Sequence, residues 1–403
     1  MNHEKAPNWA GRLASTAARL LRPRHLAMAG AALLAAGCQV IPKSDAPTAP
    51  PPPPPVTEPS ATALPTDSGR HRIALLVPIS GETGAVGQAI ANATTMALLD
   101  TNADNLRITS YDTSAGAAAA AAQAIADGNK LILGSLAGDE VPLIQAAARS
   151  AGVPVIAFTS DTKVASSDVF VMGNTPEQSI KRSVQFLRSR GATRFAALVP
   201  EGDYGARAIA AFDRAIVEFG GTLVRRETYA RGNTSVVSAA ARLRSAGGFD
   251  TVLIADSARL GLDAAGELQR GRAPRPRLVG TELWSGDPLL AKSPAMQGAL
   301  FSAVSDQRYK RFAESYETRF GAKPYRIATL GYDAVLLTLR IAREWKVGNP
   351  FPKNELYDRG GFLGVDGPFR FTRAGIAERA LEVREVKGTE VIAADPAPTG
   401  FGD

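Results

Sequence analysis

Residues 73–99 read IALLVPISGETGAVGQAIANATTMALL. The apolar run at residues 73–76 predicts a buried strand, and Pro78 and Gly81 mark a turn. After Gly84 and Gly87 the apolar positions recur three and four residues apart, which predicts a helix. This strand, turn and helix form the first unit of an α/β fold. Because the first turn of a helix has unpaired N–H groups and a partial positive charge, the unit is also suited to binding a small anion.

Composition is that of an ordinary globular protein, apart from the first seventy residues. Of 403 residues, 45% are hydrophobic and 21% are charged, which is enough for one or two sizeable cores. The formal charge of +7 is concentrated at the start, since residues 1–37 carry five Lys or Arg and one Glu. The other arginines are scattered along predicted helices and are not interleaved with aromatic residues, so we expect no nucleic-acid partner.

The first 37 residues predict an export signal. Five basic residues precede an apolar segment at residues 26–36, which is too short to span a membrane. It leads into Leu34-Ala35-Ala36-Gly37-Cys38, which resembles the lipobox of bacterial lipoproteins, although that pattern usually has Leu where this chain has Ala35. The resemblance implies that Cys38, the only cysteine, is lipidated and becomes the mature N-terminus. An ordinary signal followed by an unrelated cysteine is the alternative.

Residues 38–69 form a linker by composition. Prolines occupy every position from 50 to 55, flanked by Ala, Thr and Ser. Such a segment favours polyproline II, which extends about 3.1 Å per residue and forms no core. The linker would hold the next domain away from a membrane in which Cys38 is anchored. In the lipoproteins that the lipobox resembles, Asp after the cysteine signals inner-membrane retention. Gln39 stands there, so we expect a periplasm-facing protein of the outer membrane.

From residue 70 onward, short apolar runs alternate with helical patterns. Ten such runs, from residues 73–77 to residues 299–304, are separated by amphipathic or alanine-rich stretches such as 115–126 and 206–219. This alternation predicts parallel sheets covered by helices, and ten strands predict two α/β lobes. Residues 128–158 and 248–281 repeat the order strand, polar turn, helix, strand, which supports that division. Since such sheets bind ligands at the carboxyl ends of their strands, two facing edges predict a cleft.

Four segments carry a resemblance to a known family. They are residues 73–99, 191–207 (GATRFAALVPEGDYGAR), 327–337 (IATLGYDAVLL) and 361–385 (GFLGVDGPFRFTRAGIAERALEVRE). In order and spacing they resemble the type I periplasmic binding proteins of the leucine/isoleucine/valine-binding group, over residues 70–395. The resemblance implies two doubly wound lobes joined by three crossings, with a ligand in a hinge cleft. We expect the first lobe at about residues 70–172 and 299–345, and the second at about 173–298 and 346–395.

The resemblance also implies a set of ligand-binding residues. In amino-acid binders of this group, hydroxyls and backbone N–H groups of the first lobe hold the carboxylate, and an acid and an aromatic residue of the second lobe hold the ammonium group. The corresponding positions are Gly84, Ala85, Ser135, Thr159 and Ser160 in the first lobe, and Tyr204, Asp256, Ser257 and Glu282 in the second. Glu282 and Tyr204 fit the acid and the aromatic residue.

The turn after the third predicted strand departs from the family. Where amino-acid binders have a run of Ser and Thr, this chain has Leu136-Ala137-Gly138-Asp139-Glu140. Two carboxylates there would repel a ligand carboxylate unless helix capping occupies them, and we interpret Asp139 as a helix cap. Together with residues 153–161, this turn more closely resembles lipoproteins described as penicillin-binding protein activators, which stimulate peptidoglycan synthases.

We expect no enzymatic role. The three histidines, His3, His25 and His71, lie in the signal or at the end of the linker, so no triad with Ser or Cys can form inside the domain. The sequence also has no metal-ligand motif and no Walker loop, and we expect neither a metal nor a cofactor. We interpret Trp284 and Phe301 as core residues.

Two functions are compatible with these observations. One is the solute-binding component of an ABC importer, which would deliver a small polar or amino-acid-like ligand to a permease. The other is an outer-membrane activator of a penicillin-binding protein, with or without a ligand in its cleft. Both are non-catalytic, and both suit a lipid anchor followed by a long spacer.

Overall fold

The first lobe is built on a five-stranded parallel sheet. The computed structural model describes residues 69–232, 234–271 and 274–401. In chain order the strands are β1 (His71–Val77), β2 (Leu106–Asp112), β3 (Leu131–Gly134), β4 (Val155–Ala157) and β5 (Val169–Val171). They lie side by side in the order β2-β1-β3-β4-β5. The connecting helices are α1 (Gly84–Asp100), α2 (Ala117–Ala126) and α3 (Val141–Arg149). The strand, turn and helix predicted at residues 73–99 are confirmed, whereas the predicted signal, Cys38 and nearly all of the linker lie outside the described residues.

The second lobe follows directly in the chain. Its helices are α4 (Pro176–Ser189), α5 (Asp203–Phe219), α6 (Ser235–Ala246) and α7 (Ala258–Leu268). They alternate with the strands β6 (Arg194–Pro200), β7 (Thr222–Tyr229), β8 (Thr251–Ile254), β9 (Arg277–Val279) and β10 (Leu300–Ala303). These five strands are parallel. The alternation of strand and helix predicted from the sequence is therefore present in both lobes.

After β10 the chain returns to the first lobe and then comes back. Near α1 lie α8 (Asp306–Phe320) and α9 (Thr329–Ala342), followed by a small antiparallel sheet of β11 (Phe362–Gly364), β12 (Gly367–Phe371) and β13 (Ala377–Arg379). The antiparallel strands β14 (Glu382–Lys387) and β15 (Glu390–Asp395) complete the second sheet, in the order β15-β14-β10-β9-β8-β6-β7. The chain thus crosses between the lobes three times, at residues 172–175, 304–305 and 380–381.

The expected lobe boundaries need correction in two places. Residues 299–303 do not belong to the first lobe, because β10 pairs with β9 and β14 in the second sheet. Residues 346–379 do not belong to the second lobe, because Phe351, Phe369 and Phe371 pack into the core of the first. The ring centroid of Phe371, for example, lies 5.5 Å from that of Phe170 on β5. Burial of these aromatic side chains places the small sheet against the first lobe.

In each lobe the helix that follows the first strand lies directly on the end of that strand. A Cβ atom at Gly87 of α1 would lie 1.7 Å from the backbone oxygen of Pro78, and a Cβ atom at Gly205 of α5 would lie 1.8 Å from that of Pro200. Only glycine permits so close an approach of two backbones. The two lobes therefore begin α1 and α5 in the same way, at the carboxyl edges of their sheets.

Candidate functional site

The wall of the first lobe begins at the loop after β1. The Ile79 N–H and the Ser80 hydroxyl donate to the carboxylate of Asp112 at the end of β2, at 2.8 and 3.0 Å. These bonds, with the Ile79 N–H as the largest cause, hold the pKa of Asp112 well below its usual range. Gly84 is buried against the backbone oxygen of Ile79, and Ala85 is exposed on the first turn of α1. Asp112, which the sequence analysis did not single out, thus fixes the loop that precedes both predicted residues.

The turn after β3 uses its polar groups internally. Ser135 is fully buried, and its hydroxyl donates to the carboxylate of Glu140 while accepting from the Ala137 N–H at 3.1 Å. The predicted cap at Asp139 is wrong, because Glu140 occupies the capping position of α3 and forms no side-chain capping bond. The structure therefore engages the Ser135 hydroxyl within the turn and leaves α3 without a side-chain cap.

Thr159 and Ser160 follow β4 and differ in what they face. The Thr159 hydroxyl accepts from the Asp161 N–H at 3.1 Å, and the residue is buried. Ser160 is half-buried, and both its backbone oxygen and its hydroxyl accept from Arg207 of the second lobe. Ser160 is therefore a predicted residue of the first lobe that forms hydrogen bonds with the opposite wall.

Tyr204 and Glu282 are in direct contact in the second lobe. The Tyr204 hydroxyl donates to Glu282 Oε1 at 2.9 Å and lies 2.8 Å from Thr281 Oγ1. Tyr204 stands on the first turn of α5, and Glu282 begins a short 3-10 helix after β9 (Glu282–Trp284). Trp284 is fully buried and packs against Gly280, where a Cβ atom would lie 2.0 Å from its ring. This anchor holds Glu282 beside the start of α5, although the two partners are 78 residues apart.

The carboxyl group of Glu282 is buried and incompletely bonded. Its Oε2 atom has no hydrogen-bond partner among the residues that the structure describes. Burial is the main reason that the pKa of Glu282 rises to about 7. Burial, followed by the charge of Glu282, also raises the pKa of Tyr204. A buried carboxyl with an unbonded oxygen is suited to an ammonium group, because a neighbouring positive charge offsets the cost of desolvating the carboxylate.

Arg207 is a residue of the candidate site that the sequence analysis missed. Its Nη1 donates to the Ser160 backbone oxygen, its Nη2 lies 3.3 Å from the Ser160 hydroxyl, and Nη1 is also 3.5 Å from Glu177 Oε1. The guanidinium carbon lies 5.9 Å from the centre of the Tyr204 ring. The sequence does contain a signal, because residues three apart on a helix share a face, and Arg207 follows Tyr204 by three. The site therefore includes a cation that spans the two lobes.

Asp256 and Ser257 follow β8 and serve the wall of the second lobe. Asp256 is buried, and its Oδ2 accepts from the Tyr229 hydroxyl at 2.7 Å and from Arg231 Nε at 2.9 Å. Ser257 occupies the capping position of α7, and its hydroxyl accepts from a backbone N–H of the first turn. The Arg231 guanidinium lies 5.8 Å from the Tyr204 ring, which connects this group to the cleft. Both predicted residues already have protein partners here.

Two features are absent from the residues that the structure describes, namely a candidate membrane span and a cluster of metal-ligating side chains. No helix among residues 69–232, 234–271 and 274–401 combines the length and hydropathy of a membrane span. Nor do the His, Cys, Asp and Glu side chains of that part of the chain form a group of three or more that could hold a metal ion.

The sequence model of a family described as periplasmic binding protein matches residues 71–390, well over half of the chain. The chain belongs to the periplasmic binding protein family. The two lobes, the three crossings and the cleft at the strand ends are the fold of this family's type I members, so the fold class and the family expected from the sequence are confirmed.

Solved structures share the fold of this periplasmic binding protein. A Rhodospirillum rubrum protein described as a branched-chain amino acid ABC transporter has a TM-score of 0.70 and 22% identity, over 80% of this chain and 99% of the other. LivJ of Streptococcus pneumoniae, in complex with isoleucine, has a TM-score of 0.63 and 20% identity, over 82% and 100%. Full-length LpoA of Haemophilus influenzae has a TM-score of 0.62 and 19% identity, over 81% and 59%. These TM-scores show a shared fold, and at such low sequence identities the comparisons show the fold alone.

One curated relative matches a part of this periplasmic binding protein. An uncharacterized protein of Rickettsia prowazekii is 26% identical over 159 residues, which is 39% of this chain and 43% of the relative. The match therefore spans less than half the length of that relative.

Proposed function

We propose that this periplasmic binding protein is the solute-binding component of an ABC importer and holds a small polar ligand with an amino group between its lobes. The contact between Tyr204 and Glu282 is the observation that carries the proposal. Among the described residues, it leaves a buried carboxylate oxygen without a donor, in the lobe where the family's amino-acid binders hold the ammonium group. A cationic group at that oxygen would offset the cost of burying the Glu282 charge.

The opposite wall supplies contacts of another kind. On the first turn of α1 the Gly84 N–H donates to the Gly81 backbone oxygen at 3.1 Å, so Ala85 would supply the backbone N–H there, and Ser160 offers a hydroxyl near the second lobe. The fold that this chain shares with LivJ, which was solved with isoleucine, supports an amino-acid-like ligand. Closure would follow from a higher affinity of the ligand for the closed cleft than for the open one.

The proposal places the domain outside the cytoplasm on a lipid anchor. Cys38 would carry the lipid, residues 38–69 would act as a spacer, and the permease of the importer would receive the ligand. We also propose the outer membrane as the site of anchoring, because Gln39 follows the cysteine. The protein would act without catalysis and without a cofactor, as a receptor that binds and releases its ligand.

Thermal unfolding of the full-length protein with amino acids and short peptides tests the proposal. A ligand present at 100 times its Kd should stabilise the protein by about 2.7 kcal/mol. Glu282→Gln should abolish most of the stabilisation by an amino-group ligand, whereas Glu201→Gln, which changes an exposed acid near the start of α5, should leave it intact. Stabilisation by no member of the panel would rule out the receptor, and an unchanged response of Glu282→Gln would remove this residue from the site.

A second function is favoured by the turn after β3. The Ser135 hydroxyl is engaged by Glu140 and not free for a ligand carboxylate, and the turn resembles that of penicillin-binding protein activators. Full-length LpoA shares the fold as well. In this alternative the domain would bind and regulate a peptidoglycan synthase. Co-purification of a protein that reacts with labelled penicillin, with faster glycan polymerisation when the purified pair is combined, would support it. Unchanged polymerisation would reject it.

A further inference from the structure

A small cavity lined by polar and apolar side chains lies where the three crossings meet. Its volume is about 40 Å³, and its lining includes Thr175, Val304 and Leu381, which belong to the first, second and third crossings. Arg326 and Arg379 also line it. A water molecule needs roughly 10–15 Å³ of such space, so the cavity has room for about three waters or for one compact charged group.

Arg379 brings unbonded N–H groups to this cavity. The residue is 6% exposed, and its Nη2 donates to the Met172 backbone oxygen at 2.7 Å. Among the described residues its Nε and Nη1 have no hydrogen-bond partner. Burial lowers the pKa of this guanidinium, although the nearby carboxylates of Asp366 and Asp333 oppose that effect. An anionic group beside Arg379 would satisfy these donors and compensate the buried charge.

Arg326 adds a second partly bonded guanidinium. Its Nη1 donates to Asp366 Oδ1 at 2.5 Å, while its Nε and Nη2 have no hydrogen-bond partner in the described part of the chain. The Nη2 atom lies 3.9 Å from Asp306 Oδ1, which is an ion pair beyond hydrogen-bond length. Asp366 is also held by the Thr329 hydroxyl at 2.9 Å. In the described part of the chain, the carboxylates of Asp306 and Asp366 therefore leave N–H groups of both arginines without a hydrogen-bond partner.

The same cavity contains acceptors without donors. Glu282 and Asn174 line it, and Glu282 Oε2 and Asn174 Oδ1 have no hydrogen-bond partner among the described residues. Glu282 belongs to both sites, because its other oxygen accepts from Tyr204. Unbonded guanidinium N–H groups beside unbonded acceptors are complementary to a group that carries both a carboxylate and an amine.

We infer that the hinge cavity is a carboxylate-binding subsite in which Arg326 and Arg379 bind a ligand's carboxylate. Its use by an amino-acid-like ligand rests on the proposed function, since Glu282 would then hold the amino group of the same molecule. A carboxylate site at the hinge is also consistent with the turn after β3. The Ser135 hydroxyl donates to Glu140 there, and with Arg326 and Arg379 in this role Ser135 is not needed to bind the carboxylate. Two sources offer this chemistry, namely a free carboxylate ion and the head group of an amino acid.

The test compares both sources on the full-length protein and its variants. Sodium formate and sodium acetate probe the free ion, and each amino acid that binds is compared with its amide, which lacks the carboxylate. Arg379→Lys and Arg326→Lys keep the charge and remove the planar set of donors. Each should weaken carboxylate binding by about 10- to 100-fold, as expected for a charge-assisted hydrogen bond. In the unchanged protein an amide should bind more weakly than its amino acid by a similar factor.

Arg384→Lys is the matched control. Arg384 is also buried beside the second crossing, but it does not line the cavity, and its Nε and Nη1 donate to Glu382 and Asp306 at 2.7 and 2.5 Å. This variant should cost stability and leave carboxylate affinity unchanged. Circular dichroism of each variant confirms that it is folded before binding is compared.

The outcomes separate this inference from the proposed function. Binding of formate or acetate that depends on Arg379, with no amino acid bound, would support the subsite and reject the receptor. An amino acid that binds equally well to the unchanged protein and to Arg379→Lys would overturn the subsite and leave the receptor standing. Binding of no carboxylate by the unchanged protein would overturn the subsite, because the cavity would then hold water.

Discussion

Arg207 on α5 reaches across the cleft to Ser160 after β4 and donates to both its backbone oxygen and its hydroxyl. Its side chain is 9% exposed, so these bonds are shielded from solvent. The same guanidinium lies 3.5 Å from Glu177 at the start of α4. The lobes are thus joined at the cleft by a side chain of the second lobe, in addition to the three crossings.

Arg207→Gln should therefore favour an open arrangement of the lobes. Loss of a shielded, charge-assisted contact is expected to cost about 1.5–3 kcal/mol, enough to change the population of closed molecules by a factor of 10 or more. Small-angle X-ray scattering should record a larger radius of gyration. Lys163→Gln is the control, since Lys163 and Asp203 form an exposed interlobe pair at 3.7 Å, of a kind that contributes little. Equal scattering from the two variants would contradict a closing role for Arg207.

Glu282 should make stability fall as the pH rises from about 4.5 to about 7. Its pKa is about 7 in the folded protein against 4.5 in the unfolded chain, so in this window the folded state binds the additional proton. This carboxyl should lower the free energy of unfolding by about 3 kcal/mol at pH 8 relative to a pH below 4.5, as measured by urea denaturation. Glu282→Gln should remove this dependence, so the variant gains stability relative to the unchanged protein between pH 5 and pH 8. A stability difference between the two that is constant with pH would show that the carboxyl is not perturbed.

Gly205→Ala should destabilise the second lobe strongly. The new Cβ atom would lie 1.8 Å from the backbone oxygen of Pro200, so α5 must move away from the end of β6. Overpacking of this kind costs about 1–3 kcal/mol or more. Gly266→Ala is the matched control, because that glycine is inside α7 and a Cβ atom there would meet nothing within 4 Å. The control should gain about 0.5–1 kcal/mol from helix propensity. Chemical denaturation measures the free energy of unfolding of both variants. Equal changes in the two would contradict the close packing of α5 on β6.

Cys38→Ser should release the protein from membrane fractions. The prediction rests on the lipobox-like residues 34–38, and acylation supplies the chains needed for stable anchoring. Cell fractionation with detection of the protein in periplasmic and membrane extracts measures the change, and Ser44→Ala in the linker is a control that should remain in the membrane. Persistence of Cys38→Ser in the membrane would mean that another segment anchors the chain.

Much of the fold could be predicted from the sequence, but not the sheet to which each segment belongs. The unit at residues 73–99 has a clear periodicity, and its strand and helix are where the pattern puts them. The apolar run that forms β10 has the same pattern in either sheet, because periodicity reports burial and not the pairing partner. Phe369 and Phe371 likewise predict buried strands without saying which core they fill.

The candidate site was predictable only where the family's pattern reaches. That pattern led to Tyr204 and Glu282, and in the structure the Tyr204 hydroxyl lies 2.9 Å from Glu282 Oε1. It did not lead to Arg379 and Arg326, which approach one cavity from the end of β13 and from the segment after α8. Nor does a sequence reveal that the Ser135 hydroxyl donates to the Glu140 carboxylate, since the same side chains could point outward. Contacts between distant segments depend on packing, which local patterns do not encode.

The return of the chain to the first lobe after β10 affects the order in which the two lobes can be completed. One of the two hydrophobic clusters of the first lobe combines β1 and β3 with α8, α9 and the small sheet, so it needs residues up to Ala377, whereas the other is formed within residues 74–169. The second lobe has its five parallel strands once Ala303 has been made, and β14 and β15 add only its edge. During synthesis the first sheet is therefore among the last parts to be completed, because one of its apolar faces gains its covering helices and small sheet only when nearly the whole domain has emerged.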